Sequence, residues 1–313
     1  MDLAKHGSYG ETRRTGEGEE GLGILAAILS SSLGGINTAV TRYVIGATDP
    51  ATLAGVRFGL GFLLLLPVAL ALKSRWPRGR DWLGVGMLGI LFFAVFMGLF
   101  NLSLRYTSAA RGALALSTLP LMTMLVASAL RAEPLTRRKS IGVFIAIAGV
   151  AVALIAGLGA APRGAWRGDA IMVAATLCMA LYSIWSRPFI ARSSPLGFVI
   201  GGMGSGSFVL CLFALADGGF ENAANLRAGQ WIAVAYLGMF GAALTFFLWV
   251  FALARTTPTK VTNTITLNPL TASFAAMLLM GEPIGFYPLA GIAAVFTGIL
   301  LASTDRPAER TSS

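Results

Sequence analysis

Residues 119–134 read LPLMTMLVASALRAEP, and residues 268–283 read NPLTASFAAMLLMGEP. The two stretches share a Pro-Leu pair, a leucine ten residues beyond the proline and a Glu-Pro pair, all at a constant separation of 149 residues. The same separation relates flanking positions: Trp82, Val85, Leu88, Gly89 and Thr107 recur as Trp231, Val234, Leu237, Gly238 and Thr256. The chain therefore contains an internal duplication that extends well beyond the quoted stretches.

The composition of the chain is typical of a protein embedded in a membrane. Hydrophobic residues make up 56% of the 313 residues and charged residues only 12%, whereas a soluble domain carries about 25% charged residues. Apolar stretches of about 20 residues can cross the ~30 Å hydrocarbon core as helices, and they are about twice as long as the strands of a membrane barrel. The composition predicts an all-α integral membrane protein.

Ten apolar runs follow one another along the chain and predict ten transmembrane helices. They cover residues 22–45, 51–72, 82–104, 107–130, 140–158, 168–190, 196–216, 230–253, 258–280 and 284–303. Lysine and arginine are most frequent in the loops that face the cytoplasm when the N-terminus is placed there, and this bias predicts that both termini are cytoplasmic. The polar residues 1–20 and 305–313 are predicted to be cytoplasmic tails, the first of them flexible.

Each half of the duplication holds five of the ten runs, and this odd number decides how the halves are oriented. The second half must start on the opposite side of the membrane, so the two halves form inverted repeats. We predict one repeat at residues 21–158 and the other at residues 168–304. Inverted repeats are typical of secondary transporters, which open a central cavity to one side of the membrane and then to the other.

Few groups in the sequence could support other chemistry. We assign the net charge of +10 to the loops that set orientation rather than to nucleic-acid binding. The two cysteines, Cys178 and Cys211, lie far apart in apolar runs, and the only histidine, His6, lies in the N-terminal tail. We therefore expect no metal site, no cofactor and no catalytic centre, and an intramembrane enzyme or a scaffold protein is disfavoured.

Four short motifs carry a family resemblance: Arg57-Phe58 in the second run, Asn268-Pro269 in the ninth, and the Glu-Pro pairs at 133–134 and 282–283. In this order, on a duplicated ten-run chain, they resemble the EamA-type transporters of the drug/metabolite transporter superfamily over residues 22–303. The resemblance implies a multi-pass transporter of small metabolites in the bacterial inner membrane, with amino-acid exporters of the YddG type as close relatives. It also implies a gating or structural role for Arg57, because an arginine is usual at this place in the family.

Polar residues within the apolar runs are the candidates for binding a substrate, because each needs a partner or a wet cavity. The ninth run holds the densest group. Pro269 in that run, like Pro120 in the fourth, removes a backbone hydrogen bond, and we predict a hinge or a binding element at each proline. The predicted substrate-binding residues are Asn37, Thr41, Asn101, Tyr182, Trp185, Trp249, Asn263, Thr266 and Asn268.

In this hypothesis the amides hold the amino and carboxylate groups of a substrate, and the aromatic rings stack on its side chain. Other roles stay open: hydrogen bonds between helices for the amides and threonines, and packing or anchoring at the lipid interface for the aromatic residues. For Arg57 the open roles are to attract a substrate carboxylate, to lock a gate, to extend to the interface, or to bond carbonyls of a neighbouring helix. Glu133 and Glu282 are expected to cap the helices that follow them. The predicted gating or structural residues are Arg57, Pro120, Pro269, Glu133 and Glu282.

The leading hypothesis is a secondary transporter that exports small metabolites, with amino acids, including aromatic and apolar ones, as the favoured substrates. The alternative is a nucleotide-sugar or other organic-anion carrier. Such a carrier needs several cations in its cavity, and only Arg57 lies firmly within an apolar run. The expected partners are a small-molecule substrate and the lipid bilayer, and the expected state is a monomer or a homodimer.

Overall fold

The computed structural model describes residues 5–130, 137–156, 161–224 and 226–282, and in addition the helical positions 286, 289–290, 293–294 and 297. Within these ranges all regular structure is helical and no strand is present. In chain order the helices are α1 (Lys5–Val44), α2 (Pro50–Ala71), α3 (Asp81–Tyr106), α4 (Ala109–Leu116), α5 (Leu119–Ala129), α6 (Arg137–Ala156), α7 (Ala165–Trp185), α8 (Arg187–Arg192), α9 (Pro195–Ala216), α10 (Gly219–Ala224), α11 (Ala228–Arg255), α12 (Pro258–Asn263) and α13 (Asn268–Met280).

Seven helical stretches among the described residues are long and apolar enough to cross a membrane. They are Gly18–Val44, Pro50–Ala71, Asp81–Tyr106, Ala109–Ala129, Ala165–Arg192, Pro195–Ala216 and Ala228–Arg255. The prediction of an all-helical membrane protein is thereby confirmed. The count of ten helices and the inverted arrangement stay predictions, and most of the tenth run lies outside the described residues.

The helix α1 is longer than the first apolar run. It begins at Lys5, whereas the part that is apolar enough to cross a membrane begins at Gly18. The backbone is therefore helical through much of the region for which the sequence predicts a flexible tail. Once a helix has formed, adding a further residue to its end is far easier than nucleating it, so a stable span can carry a polar helical extension.

Several helices begin where a capping side chain precedes a proline. The carboxylate of Asp49 accepts a hydrogen bond from the N–H of Thr52 at 2.8 Å, and Pro50 occupies the first helical position. The pairs Ser194-Pro195 and Thr257-Pro258 begin α9 and α12 in the same way. A side-chain oxygen satisfies one free N–H of the first turn, and proline has no N–H to leave unpaired there. Local sequence thus sets these boundaries.

The fourth and ninth runs are each interrupted shortly before their proline. In the fourth run the helix stops after Leu116 and resumes at Leu119. In the ninth run a 3₁₀ turn, Thr264–Leu267, separates α12 from α13. Proline cannot donate to the preceding turn and its ring crowds that turn, which accounts for an interruption at the same place in both runs.

The third and eighth runs each contain a π-helical segment that the sequence analysis did not predict. The segments are Ile90–Phe96 within α3 and Leu237–Leu244 within α11. They overlap when shifted by the 149-residue separation of the duplication. A π-helical turn shifts the hydrogen-bond register and is frequent at functional sites, so the two segments direct attention to the space between them.

The helix α1 packs along α13 and α11. At Gly35 the backbones of α1 and α13 lie very close together. A β-carbon added to Gly35 would lie 2.5 Å from the carbonyl oxygen of Asn268 and 2.9 Å from the backbone nitrogen of Ala272. Both are backbone atoms, which cannot move without shifting α13. The absence of a side chain at Gly35 therefore allows this contact.

We expect Gly35→Ala to destabilise the protein by about 1–3 kcal/mol, the usual cost of overpacking a tight contact. The matched control is Gly59→Ala in α2, where an added β-carbon meets no atom within 4 Å. That change should be neutral or stabilising by up to about 1 kcal/mol, because alanine is the better helix former. Thermal unfolding in detergent measures both, and equal shifts for the two variants would contradict the close packing at Gly35.

Candidate functional site

A small cavity lies between α1, α2, α3, α11 and the interrupted ninth run. Its lining residues are Ser30, Ser31, Gly34, Asn37, Thr38, Arg57, Phe96, Met97, Phe100, Leu116, Met179, Thr245, Phe246, Trp249, Ile265 and Asn268. About 40 Å³ is open to the centre of a water-sized sphere. That volume holds a few water molecules, whereas a benzene-sized molecule occupies a cavity of about 150 Å³. The cavity in this structure is therefore too small to hold a molecule of that size.

Four polar side chains on the cavity each carry a buried atom that has no hydrogen-bond partner. These atoms are Oδ1 of Asn37, Nε of Arg57, Nε1 of Trp249 and Oδ1 of Asn268. All four residues are at most 3% exposed. Buried polar groups are hydrogen-bonded in the great majority of cases, and an unpaired one costs about 1–3 kcal/mol. Four such atoms around one cavity indicate a place where water or a ligand binds.

A chain of hydrogen bonds fixes the orientation of the Asn37 amide. The hydroxyl of Thr245 donates to the carbonyl of Phe240 at 2.7 Å, so its oxygen is left to accept from Nδ2 of Asn37 at 3.1 Å. Oδ1 of Asn37 therefore points away from Thr245. A β-carbon added to Gly241 would lie 3.0 Å from this oxygen. The amide thus presents its acceptor, and not its donors, beside the π-helical segment.

Arg57 is held by the same π-helical segment. Its Nη2 donates to the carbonyl of Gly241 at 2.7 Å, and its Nη1 donates to the hydroxyl of Thr41 at 3.4 Å. The N–H of Thr245 bonds to the carbonyls of Ala242 and Phe240, three and five residues back, rather than to Gly241, four residues back. The carbonyl of Gly241 is therefore available to Arg57. The irregular helix therefore provides the acceptor that anchors a buried guanidinium.

Asn268 reaches the cavity because the ninth run is interrupted. It is the first residue of α13, directly after the 3₁₀ turn, and its Oδ1 would lie 2.9 Å from a β-carbon added to Gly34. Nearby, the hydroxyls of Ser31 and Thr264 share a hydrogen bond of 2.7 Å. The interruption thus places an amide and a hydroxyl on the face that contacts α1.

Three predicted substrate-binding residues line the cavity together: Asn37, Trp249 and Asn268. Two others lie beside it. Thr41 accepts the hydrogen bond from Arg57 described above, and Tyr182 stacks on Phe92 with ring centroids 4.1 Å apart. Tyr182 is 1% exposed and its hydroxyl has no partner, but its ring belongs to the aromatic packing around α3 rather than to the cavity lining.

The remaining predicted substrate-binding residues lie away from the cavity lining. Asn101 donates from Nδ2 to the carbonyl of Pro50 at 3.0 Å. Trp185 is 42% exposed at the end of α7. Asn263, the last residue of α12, and Thr266, in the 3₁₀ turn, are half-buried, and the hydroxyl of Thr266 donates to the carbonyl of Asn263 at 2.8 Å. Their roles in binding stay predictions.

The predicted gating residues are placed as follows. Pro120 and Pro269 are buried at the starts of α5 and α13. Glu282 lies two residues beyond α13, and its Oε1 is 3.8 Å from Nε of Arg42 at the end of α1. Glu133 lies outside the described residues.

Sequence reasoning missed the hydroxyls and most of the apolar wall of the cavity. Ser30 donates to the carbonyl of Thr245 at 2.8 Å, and Phe96, Phe100 and Phe246 form an aromatic side of the lining. The three consecutive serines at 30–32 are a signal that could have identified the contribution of α1. Nothing in the local sequence distinguishes Thr245 or these phenylalanines from residues that only pack.

Two ion pairs join α1 to the ninth run, one at each end. Glu20 pairs with Lys260 of α12 and also accepts from the hydroxyl of Thr256 at 3.3 Å. At the other end Arg42 pairs with Glu282, and Nη1 of Arg42 donates to a carbonyl of α3 at 3.0 Å. The cavity residues of α1 lie between the two pairs, so an ion pair joins α1 to this part of the chain on either side of the cavity.

A further ion pair is buried away from the cavity, between Arg111 of α4 and Asp169 of α7. The hydroxyl of Thr107 donates to Oδ1 of Asp169 at 2.9 Å, and Nη2 of Arg111 also donates to the carbonyl of Leu154 at 2.7 Å. The sequence places only Arg57 firmly within an apolar run. That expectation is incomplete, because Arg111 is only 5% exposed and its charge is paired with Asp169 within the helices.

Known proteins resemble this chain over most of its length. A Bacillus subtilis protein named "Uncharacterized transporter YyaM" is 26% identical over 269 residues, which are 84% of this chain and 88% of that protein. A Streptantibioticus cattleyicolor protein named "Probable terminal-alkyne amino-acid exporter" is 27% identical over 249 residues, 77% of this chain and 82% of that protein.

A solved crystal structure has a TM-score of 0.65 with this chain at 19% sequence identity, and the match covers 92% of this chain and 96% of the other. Identity that low supports a shared fold and nothing finer. The sequence pattern of the EamA-like transporter family matches this chain twice, at residues 21–155 and at residues 166–304. Since the two matches take in most of the sequence, the chain belongs to the EamA-like transporter family.

Proposed function

We propose that this protein exports small metabolites, above all amino acids with apolar or aromatic side chains, by alternating access around the cavity between α1 and the ninth run. It does so from the inner membrane of a bacterial cell, as a transporter and not as an enzyme. Ten helices form two inverted five-helix repeats at residues 21–158 and 168–304, with both termini in the cytoplasm, and the protein acts as a monomer or a homodimer.

The observation that carries the proposal is the convergence of four unpaired buried polar atoms on one cavity. Two are donors, on Arg57 and Trp249, and two are acceptors, on Asn37 and Asn268. The remaining wall is largely apolar. An amino acid offers acceptors in its carboxylate, donors in its ammonium and an apolar side chain, so it complements this lining. A nucleotide sugar needs several cations for its phosphates, and among the residues that line the cavity only Arg57 is charged.

Two further observations support the proposal. Two features recur at the spacing of the duplication: the interruption in the fourth and ninth runs, and the π-helical segment in the third and eighth runs. This recurrence is expected if both halves move by the same mechanism. In addition, one relative is named as an amino-acid exporter. These observations favour a moving two-half transporter, and the relative favours amino acids as its cargo.

Counterflow of radiolabelled compounds into liposomes that contain the purified protein tests the proposal. We expect uptake of apolar and aromatic amino acids and none of nucleotide sugars. Asn37→Leu and Asn268→Leu should each lower amino-acid uptake about tenfold or more, because each removes a buried hydrogen bond to the substrate.

The matched control is Asn101→Leu, which replaces an amide that is equally buried but lies outside the cavity. It should retain uptake per folded protein. Uptake of nucleotide sugars in place of amino acids would overturn the substrate assignment. Loss of uptake in all three asparagine variants alike would overturn the location of the site.

A further inference from the structure

We propose that Arg57 binds the carboxylate of the substrate, so that a free carboxylate is a requirement for binding and Arg57 determines specificity rather than gating alone. The inference rests on the proposed function, because it assigns a partner to one residue of the same cavity. It goes further by naming the substrate group that every accepted molecule must carry.

The first argument is that Arg57 is the buried cation whose counter-ion is missing. Arg42, Arg111 and Lys260 each pair with a carboxylate of another helix or loop. None of the ion pairs found among the described residues includes Arg57, although it is only 3% exposed. A buried charge is strongly unfavourable unless it is paired and hydrogen-bonded. A substrate carboxylate would supply the missing charge.

The second argument is the state of the guanidinium itself. Two of its nitrogens are occupied by Gly241 and Thr41, and its carbon lies 5.2 Å from the ring centroid of Phe58. These contacts hold the group in one orientation at the cavity wall. Nε is buried and has no partner. A rigidly held guanidinium with a free donor is well suited to a carboxylate, because fork-shaped donors match its two oxygens.

The third argument is the unpaired hydrogen-bond acceptor, Oδ1 of Asn37, that lies near the guanidinium of Arg57. Oδ1 of Asn37 and Nη2 of Arg57 both lie 3.0 Å from the position that a β-carbon on Gly241 would take. The hydrogen bond to Thr245 occupies the amide nitrogen and leaves that amide oxygen as the unpaired acceptor, as described above. A cationic donor and an amide acceptor side by side match a carboxylate and an ammonium on neighbouring atoms, which is the geometry of an α-amino acid.

Binding of three matched compounds tests the inference: leucine, 4-methylpentanoate, which lacks the amino group, and 3-methylbutylamine, which lacks the carboxylate. Equilibrium binding is measured on purified protein in lipid nanodiscs. We expect leucine to bind the wild type most tightly, the acid to bind more weakly, and the amine at least about tenfold more weakly than leucine.

Arg57→Gln keeps a donor for Gly241 but removes the charge. It should weaken leucine and the acid at least about tenfold while leaving the amine unchanged. Arg57→Lys keeps the charge without the fork, so it should retain the preference for the carboxylate at reduced affinity, and it provides the comparison if the glutamine variant does not fold. The control is the double variant R111M/D169L, which removes another buried arginine with its own partner and should leave the preference intact.

The outcomes separate this inference from the proposed function. If leucine is transported but the preference over the amine is the same in Arg57→Gln, Arg57→Lys and the wild type, the inference falls and amino-acid export stands. If leucine does not bind but the acid binds in an Arg57-dependent manner, the inference stands and the amino-acid assignment falls. If neither carboxylate binds the wild type, the inference is wrong.

Discussion

Replacing Asp169 with leucine is expected to destabilise the folded protein by about 3–5 kcal/mol, the usual effect of removing one partner of a buried ion pair. Asp169 is 7% exposed and Arg111 is 5% exposed, so the arginine left behind would be a largely buried charge without its counter-ion. The hydroxyl of Thr107 would then lose its acceptor, and the Arg111 guanidinium, whose Nε already has no partner, would lose its counter-ion. Arg111→Met should have a comparable effect, since it leaves the carboxylate buried alone.

The double variant R111M/D169L should recover much of this loss, because two apolar residues can occupy the space of a buried ion pair at little cost. The matched surface pair is Arg192 with Asp81, whose two hydrogen bonds of 2.9 and 2.8 Å are solvent-exposed. Asp81→Asn should therefore leave the midpoint of thermal unfolding nearly unchanged. If single and double variants at Arg111 and Asp169 unfold at the same temperature, the pair does not carry the energy assigned to it.

The sequence predicts best those features of the fold that depend on a few neighbouring residues, such as helix starts at proline and interruptions before proline. The fourth run ends near the predicted position, and Pro120 and Pro269 mark interruptions whose cause is local: proline has no N–H to donate. Capping residues before Pro50, Pro195 and Pro258 act within a single turn. Such features need no information about neighbouring helices, so a single sequence contains them.

The π-helical segments could not be predicted, because their stabilising contacts are distant in sequence. The carbonyl of Gly241 is paired with Arg57, 184 residues away, and the run around it has no proline or other local signal. The burial of Arg111 has the same origin: its counter-ion Asp169 is 58 residues away in the sequence, so the residues near Arg111 do not show that its charge is paired inside.

The candidate site was predicted in composition but not in detail. Polarity within apolar runs selects Asn37 and Asn268, and both line the cavity. The same criterion selects Asn101, which bonds to the backbone of α2 instead. What separates these asparagines is the rotation of each helix about its axis, which depends on packing against its neighbours and which polarity alone does not reveal.

Reversing the charge of Lys260 is expected to open the cavity to the cytoplasmic side. Lys260 pairs with Glu20, near the start of the apolar part of α1, on the side that we place inside the cell. Lys260→Glu therefore converts an attraction into a repulsion on that side. Labelling of a cysteine at Ser31 by an impermeant maleimide, in a background without Cys178 and Cys211, reports the opening. We expect labelling from the cytoplasmic side to rise about tenfold, a shift of ~1.4 kcal/mol in the opening equilibrium.

The exchanged pair E20K/K260E restores the attraction and should return labelling to the wild-type level, which a merely local disturbance would not do. The corresponding change at the opposite entrance is Glu282→Arg, which faces Arg42. It should raise labelling only from the external side. Increased labelling from the same side in both single variants would show that the two ion pairs do not close opposite entrances.

The ion pair between Arg42 and Glu282 should in addition respond to pH. Partial burial raises the pKa of Glu282, and the nearby Arg42 only partly offsets this. A carboxyl group is charged above its pKa, so the pair is present at higher pH and is lost as the pH falls through a value above the usual range of glutamate. External labelling should therefore increase on acidification in the wild type. In Glu282→Gln it should already be high and independent of pH, because the glutamine is neutral at every pH and Arg42 never has a charged partner.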